Sequence, residues 1–545
     1  MPAISLQTHR QLVNPWIWLT LLSATIISLP LFVVFSNIIV PGNETWQHIL
    51  KNLIPTYVLN TIYLMVGVAL LTFLFGVSTA WLVSMYRFPG RKFFSWALFL
   101  PIALPAYISG FTWAGILDYT SPVYVFLRNT FGIDTGQYLF FNILSLPGAI
   151  IILSLAYYPY VYLISRAYFS RQTSSLFEVA ASLGKKPFKI FYQVALPMAR
   201  PAIVAGVSLA LMEVLNDYGL VRYFGIDTFT TGIFTAWFAF SNPQSALKLS
   251  AYLMIFVLGL ILLERFQRGQ MRYDIDGSSY RPVKAVNLKN THAVGAFVIC
   301  SIPFLLGFLI PLIMLIYWGS LTYSYVVDYR FAELLANSFI LAGIATAVVT
   351  VFALFIAYTV RSFPSRFVKL LSKVATLGYA LPGAVVAIGI LVPFIWIDGK
   401  IGTFTTTGVR IAITGTWFAL VFAYLVRFMA VGYNSIDSGM EKISKSLDEA
   451  STSLGLSYFK TLRKINLPLL KGSLISAALL VFIDVLKELP LTLILRPFNF
   501  DTLAIRAFEF ASDERVAEAA PAALIIVITG MIPVLLLNFL IERKN

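Results

Sequence analysis

Twelve apolar stretches, most of them near the length of a membrane-spanning helix, divide this chain and leave it few ways to fold. About 20 apolar residues cross the hydrocarbon of a bilayer as a helix, and lipid offers no partner for an unpaired backbone group. The stretches of the first half cover approximately 16–40, 57–85, 93–117, 143–164, 202–220 and 249–263. Those of the second half cover approximately 294–318, 334–360, 370–396, 411–428, 474–495 and 521–541. This pattern predicts an all-α polytopic membrane protein.

The composition excludes a soluble globule. Only 12% of the residues are charged and 59% are hydrophobic, whereas ordinary soluble domains carry about 25% charged residues. The net charge of +15 does not indicate a nucleic-acid partner, because Lys and Arg occupy alternate loops instead of one basic face. The single cysteine, Cys300, excludes an intrachain disulfide and a cysteine metal site.

The basic loops predict the orientation of the chain. They follow the second and fourth stretches of each half and continue in the linker, so the positive-inside rule places them in the cytoplasm with both termini. An even number of spans in each half makes the two six-helix repeats parallel, related by an axis along the membrane normal. We expect a first half at 1–266, a cytoplasmic linker at 267–290 and a second half at 291–545. The first stretch is a retained helix, since it is too long for a signal peptide and no cleavage site follows it.

A polar pattern in these basic loops occurs twice, at an offset of 271 residues. Each copy predicts a short helix that a serine caps, Ser175 or Ser446, with an acidic residue in its first turn and a left-handed glycine at its end. A second short helix with an exposed aromatic residue follows, until a Leu-Pro pair begins the next span. Such a loop is either a docking element for a partner or a pair of amphipathic helices in the lipid interface. The duplicated polar detail favours docking.

The two loops resemble the EAA loops of ABC-importer permeases, whose pattern is Glu-Ala-Ala, three spacers, Gly, nine spacers and Ile-x-Leu-Pro. Val179, Val194 and Ser451 depart from it by modest changes of volume or polarity. The resemblance implies a type I importer fold in which each loop couples to one of two copies of a cytoplasmic ABC ATPase. The residues that it assigns to coupling are Glu178, Ala180, Ala181, Gly184, Phe188, Leu196 and Pro197, and Glu449, Ala450, Gly455, Phe459, Leu467 and Pro468.

The resemblance extends over nearly the whole chain. The fused twelve-span layout, residues 224–233, and residues 484–490, 496–498 and 500–504 are similar to fused ferric-iron uptake permeases. These permeases lie in the bacterial inner membrane and receive cargo from a periplasmic binding protein, so the resemblance implies ferric-iron import by alternating access. Fused permeases for thiamine and phosphonate share the layout, and no spacing or composition selects iron. A secondary transporter and a membrane enzyme are weaker alternatives, because neither a coupling-ion site nor a catalytic cluster is evident.

Charged residues at the ends of spans five and eleven are candidates for the translocation path. A charge at mid-bilayer costs a few kcal/mol and is often functional. If the helical faces that carry them line the pseudo-twofold axis, they would offer oxygen donors to a hard cation. Alternatively, the lysine neutralises one neighbour and the others lie at the outer interface. The candidates are Glu213, Asp217, Asp484, Lys487 and Glu488.

The loops at 221–244 and 496–518 share an Asp-Thr pair, which is either a helix N-cap or part of a surface for the binding protein. The contact candidates are Asp227, Asp501, Arg506, Glu509, Asp513 and Glu514. The tyrosines at 157, 158, 160 and 162 are expected to be interfacial belt residues, and Leu104-Pro105 and Leu381-Pro382 to kink spans three and nine.

No sequence motif indicates an enzyme or a bound cofactor. The chain contains no GxxxxGK[ST] phosphate loop, so a partner subunit is expected to bind ATP and magnesium. The three histidines are far apart, and no metal-ligand spacing occurs. We therefore expect a permease without catalytic, metal or cofactor sites.

Overall fold

The computed structural model describes residues 14–132, 142–170, 179–180, 182–268, 285–404 and 412–542. This part of the chain is α-helical apart from one short parallel pair, β1 (Tyr86–Arg87) with β2 (Val286–Asn287). The all-α prediction is confirmed.

The described helices before β2 comprise five that are long and apolar enough to span a membrane, a bent pair that makes a sixth candidate span, and several short connecting elements. They are α1 (Pro15–Ser36), α2 (Glu44–Asn52), α3 (Ile54–Met85), α4 (Arg91–Ala97), α5 (Ala106–Ile116), α6 (Pro122–Phe131), α7 (Leu146–Ser170), α8 (Pro187–Asn216), α9 (Gly219–Tyr223), α10 (Phe229–Phe234) and α11 (Pro243–Arg268).

The described helices after β2 follow a similar order of spans, without counterparts of α2 and α6 and with the counterpart of α8 divided in two. They are α12 (Asn290–Val326), α13 (Tyr329–Ser362), α14 (Arg366–Ala375), α15 (Gly383–Phe404), α16 (Trp417–Met440), α17 (Lys445–Ser453), α18 (Tyr458–Leu469), α19 (Lys471–Leu486), α20 (Pro490–Leu495), α21 (Leu503–Ser512) and α22 (Val516–Glu542).

Ten helices of the described chain are long and apolar enough to cross a membrane, and two bent helix pairs raise the number to twelve if each pair is one span. The bends are 93° between Arg91–Ala103 and α5, and 79° between α18 and α19. The first bend lies at Leu104-Pro105, where proline lacks an N–H and holds the preceding residue in an extended conformation. Leu381-Pro382 likewise separates the short 3₁₀ turn Leu377–Ala380 from α15. Both predicted Leu-Pro breaks are present.

The helices separate into two compact units, and neither follows the sequence halves. One unit comprises Met1–Gln47, Ile233–Tyr252 and Val327–Arg506, and the other comprises His48–Gly232, Leu253–Val326 and Ala507–Asn545. The predicted bounds therefore describe the two sequence repeats and not the two compact units. Each unit combines segments from both halves.

In the unit that contains α1, this first-half helix packs on the second-half helices α14 and α15. Trp16 at its start stacks on Phe355 at a centroid distance of 5.1 Å. Near its end, the Pro30 carbonyl lies so close to Gly389 that a Cβ there would approach the oxygen to 2.7 Å. The first span is thus anchored by contacts distant in sequence.

In the other unit, α3, α7 and α8 approach one another closely at two glycines. A Cβ on Gly76 would lie 2.6 Å from the Val161 Cβ, and a Cβ on Gly206 would lie 2.8 Å from the Val161 Cα. Small residues at such contacts let helix backbones pack closely inside a membrane. Tyr158 and Tyr162, both on α7, are fully buried among neighbouring residues. The interpretation of these two tyrosines as residues of an interfacial aromatic belt is therefore wrong. The Tyr162 hydroxyl donates to the Ser95 carbonyl at 3.1 Å.

We predict that Gly206→Ala lowers the free energy of unfolding by about 1–3 kcal/mol, because the new Cβ must push against the Val161 backbone. Thermal unfolding of the detergent-solubilised protein measures this change. Gly259→Ala is the matched control, since a Cβ at this helical glycine meets no atom within 4 Å. Equal stability of the two variants would contradict the close packing at Gly206.

Candidate functional site

The second repeated loop contains the predicted pair of short helices. Helix α17 begins after Ser444, whose side chain accepts the Ser446 N–H at 3.3 Å, so the prediction that Ser446 caps the helix is wrong by two residues. The helix ends as predicted at Gly455, which has a φ of 78°. The Leu456 N–H donates to the Ser451 carbonyl at 3.0 Å, which closes a Schellman-type turn.

In the first repeated loop, the first short helix ends in the same way. Gly184 has a φ of 75°, and the Lys185 N–H donates to the Ala180 carbonyl at 3.2 Å. Glu178 and Ala181 lie outside the described residues. The matching turns show that the duplicated glycines are required by backbone conformation, because a side chain at positive φ is strained.

Both loops expose large apolar side chains. In the first loop Leu183 is 74% exposed and Phe188 is 77% exposed. Their counterparts at the offset of 271, Leu454 and Phe459, are 81% and 61% exposed. Equivalent apolar residues projecting from two loops are typical of surfaces that bind another protein. Of the other coupling candidates, Glu449 and Ala450 are exposed and Ala180 is buried. The prediction that the Leu-Pro pairs begin the next span is wrong: Leu196-Pro197 lies within α8, which continues to Asn216, and Leu467-Pro468 lies within α18, which ends after Leu469.

A buried cation holds the second loop in place. Arg361, at the end of α13, is 7% exposed at its side chain, and its Nε lies 2.6 Å from Asp448 Oδ2. The other carboxylate oxygen of Asp448 accepts from Asn466 Nδ2 at 3.0 Å. Arg361 also donates to the Met440 and Ile443 carbonyls, which precede α17. These bonds connect α17 to α13, to the end of α16 and to α18.

The first loop does not repeat the polar residues that hold the second. The polar contacts of the second loop include a hydroxyl pair, Ser451 with Thr461, at 2.9 Å. At the offset of 271, the residues corresponding to Asp448, Ser451, Thr461 and Asn466 are Phe177, Ala180, Ile190 and Ala195. Aromatic packing occurs near both loops: Trp81 lies 5.1 Å from Phe191 and 5.3 Å from Phe169, and Tyr458 of the second loop lies 4.9 Å from Phe363. The ion pair of Arg361 with Asp448 is therefore particular to the second loop, since Gly90 and Phe177 stand at the corresponding positions of the first half, whereas aromatic packing accompanies both loops.

Asp217 and Glu488, predicted for the translocation path, cap short helices. Asp217 Oδ1 accepts the Leu220 and Val221 N–H groups at 3.0 and 3.2 Å, and Glu488 Oε1 accepts the Leu491 N–H at 3.1 Å. Both residues are buried. The same break therefore follows spans five and eleven, with a carboxylate at the start of α9 and of α20.

Glu488 has a cationic partner, and the sequence provides no equivalent partner for Asp217. Arg427, buried in α16, places its Nε 3.6 Å from Glu488 Oε2 and donates to the Leu381 carbonyl. At the offset of 271, Arg427 corresponds to Ala156.

Two further path candidates pair with each other. Lys487 Nζ lies 2.9 Å from Asp484 Oδ1. This pair agrees with the alternative interpretation, in which the lysine neutralises one neighbouring carboxylate. Glu213 is half-buried on α8. A role for any of these residues in carrying cargo stays a prediction.

The Asp-Thr pairs precede helices, and threonine provides the cap. Thr228 Oγ1 accepts from the Thr231 N–H before α10, and Thr502 Oγ1 accepts from the Ile505 N–H before α21, each at 3.5 Å. The aspartates have other contacts. The Asp227 carbonyl accepts from the Asn60 amide at 2.8 Å, and the Asp501 carboxylate pairs with Arg496.

A polar cavity of about 810 Å³ lies in the second described unit, and one predicted contact residue, Glu514, is in its wall. Asp118, Arg222 and Tyr223 also line it. Burial, together with the nearby carboxylates of Asp118 and Glu514, raises the pKa of Tyr223 to about 12. Of the other contact candidates, Arg506 and Asp513 are exposed and Glu509 is half-buried. Within the described residues, no group of three or more His, Cys, Asp or Glu side chains could hold a metal ion.

The family model for the binding-protein-dependent transport system inner membrane component matches residues 72–271 and 350–545. The chain belongs to this family. It is thus a membrane permease subunit of an ABC importer, and the two matched regions make it a fused two-half permease.

Two relatives with similar sequences are described as ferric permeases. The Fe(3+)-transport system permease protein FbpB 2 of Haemophilus influenzae is 30% identical over 96% of this chain and 98% of its own length. The putative ferric transport system permease protein FbpB 1 of the same organism is 28% identical over 83% of this permease and 73% of its own length. A solved bacterial alginate ABC transporter in complex with an alginate pentasaccharide-bound periplasmic protein covers 46% of the permease and 94% of its own chain, at 15% identity and a TM-score of 0.38.

Three residues of the permease that secure these sites were missed from the sequence. In the sequence Arg361 is one of several basic residues after the eighth apolar stretch, a pattern that indicates orientation, and Asp448 precedes Glu449 of the repeated pattern. Arg427 offered a signal that could have been used, because it is a charge inside the predicted tenth span. Its partner Glu488, by contrast, lies 61 positions away in the sequence, and only the fold brings the two together.

We predict that Arg361→Gln loosens α17, because Asp448 loses its ion pair and two carbonyls lose their donor. Amide hydrogen exchange over 445–453 should accelerate roughly tenfold, corresponding to about 1.4 kcal/mol of local stability. Lys445→Gln, which removes an exposed cation from the same helix, should leave exchange unchanged. Unaltered exchange in Arg361→Gln would show that the ion pair does not hold the loop.

Proposed function

We propose that this permease is the transmembrane subunit of an ATP-driven importer that translocates ferric iron delivered by a periplasmic binding protein. The observation that carries the importer assignment is the pair of glycine-terminated loops with equivalent exposed apolar residues. The ferric assignment is supported by the described specificity of a relative that spans 96% of the chain. Thiamine and phosphonate remain the alternative substrates.

Energy would come from two copies of a cytoplasmic ABC ATPase, one at each repeated loop. The sequence of the permease contains no phosphate loop, which supports an external source of ATP hydrolysis. Phe188 and Phe459 are well suited to fill grooves on such a partner, because they are exposed at corresponding positions. ATP and magnesium would be used by the ATPase, and the permease itself would bind no cofactor.

The basic loops support an orientation in which both repeated loops and both termini face the cytoplasm. The loops at 221–244 and 496–518 would then face the periplasmic binding protein. Closure of the ATPase dimer would move each loop as a rigid lever, and the spans would alternate between outward and inward access. The ion pair of Arg361 with Asp448 would keep one lever rigid during this motion.

We predict that Glu178→Arg combined with Glu449→Arg abolishes ATPase association or coupling, because a reversed charge on both docking loops opposes the partner surface. Co-purification of the ATPase and uptake into proteoliposomes provide the measurements. The control reverses two exposed acids outside the repeated loops, Glu44→Arg with Glu333→Arg, and should retain the ATPase. Undiminished association and uptake in the loop variant would remove the docking proposal.

We also predict that iron-loaded binding protein stimulates ATP hydrolysis by the complete importer in vesicles, whereas thiamine-loaded binding protein does not. Stimulation arises when a loaded receptor shifts the permease towards the state that closes the ATPase dimer. ATPase rates with each loaded protein, and with the unloaded proteins as controls, measure it. Stimulation by thiamine-loaded protein alone would overturn the ferric assignment and leave the importer assignment intact.

A further inference from the structure

An apolar groove of about 760 Å³ lies between three membrane-spanning helices, α3, α8 and α11. Its floor and walls include Ala69, Phe73, Val207, Leu211 and Leu260. All of its lining residues belong to one described unit. The volume is within the range of ligand cavities, which is about 300–1,000 Å³.

The walls of the groove are open to the surroundings of the helices. Leu70 on α3 is 64% exposed and Leu263 on α11 is 56% exposed. Leucines exposed on a spanning helix are typical of surfaces that contact acyl chains, since apolar side chains are stable there and water is excluded. Lipid is therefore the medium that fills an apolar groove between these spanning helices.

One end of the groove is polar and cationic. Arg200 and Tyr192 on α8 line this end, and the Arg200 guanidinium donates to the Gln267 side chain near the end of α11. Arg200 is exposed, so its remaining N–H groups can reach a ligand. The same end of α8 follows the basic first loop, which carries Lys185, Lys186 and Lys189. A guanidinium binds a phosphate strongly, and basic pockets between spanning helices are suited to acidic headgroups.

We propose that this groove binds one acidic phospholipid of the surrounding bilayer, with an acyl chain along α3, α8 and α11 and its phosphate at Arg200. An acidic headgroup is favoured over phosphatidylcholine because it carries no ammonium group that would be repelled by Arg200 and the nearby lysines. The groove adjoins the first repeated loop, because Leu196 and Pro197 also line it, and none of its lining residues is a candidate for the translocation path.

Native mass spectrometry of the full-length purified permease tests the proposal with phosphatidylglycerol and phosphatidylcholine of identical acyl chains. Wild type should retain one phosphatidylglycerol more strongly than one phosphatidylcholine. Arg200→Gln should weaken phosphatidylglycerol binding roughly fivefold and remove the preference. Lys471→Gln is the matched control, because Lys471 is the exposed cation at the equivalent position of the second half.

Filling the groove tests the acyl-chain site separately. Val207→Trp and Ala69→Leu, which enlarge side chains on two different helices of the groove, should weaken binding of both lipids. Two groove-filling variants are used so that a folding defect in one, detected by gel filtration, does not decide the result. Equal retention of the two lipids by wild type, or unchanged binding in Arg200→Gln or in a folded groove-filling variant, would overturn the proposal.

Discussion

The charged residues at the ends of spans five and eleven depend on one constraint: every backbone N–H group released where a spanning helix breaks needs a hydrogen-bond acceptor. Inside a membrane protein, an N–H group released at a helix break needs an acceptor, because an unpaired group costs several kcal/mol. Asp217 and Glu488 supply that acceptor at the starts of α9 and α20. A carboxylate in such a position is costly to bury alone, and in the second half Arg427 compensates Glu488. The conspicuous charges of these spans thus have a structural role before any role in transport.

The two halves use the same backbone plan with different side-chain chemistry. Each repeated loop ends at a left-handed glycine and exposes equivalent apolar residues, so the surface offered to a partner is similar. Behind that surface, the ion pair of Arg361 with Asp448 secures the second loop, at positions where the first half has Gly90 and Phe177, while aromatic rings pack near both loops. A duplicated loop can therefore keep its exposed surface while its internal contacts diverge, since rigidity requires tight contacts and no particular type of contact.

Much of the fold could be predicted because lipid imposes simple rules on a sequence. The number of spans, the proline breaks at Leu104-Pro105 and Leu381-Pro382, and the glycine ends of the repeated loops follow from apolar length, the missing proline N–H and positive φ. The helix cap at Ser444 was misplaced by two residues, because several serines in that segment can provide the same oxygen. Tyr158 and Tyr162 were assigned to the interface, but neighbouring helices cover them completely.

The sequence by itself determined the class of the protein, its repeat and its family, because these depend on local apolar length and on motifs within one segment. The tertiary structure decided which distant residues meet. Only the fold shows that α1 packs on helices of the second half, that Arg427 reaches Glu488, and that Arg361 holds α17. Such pairs are separated by tens to hundreds of residues, and the energy of each contact depends on a geometry that no local pattern specifies.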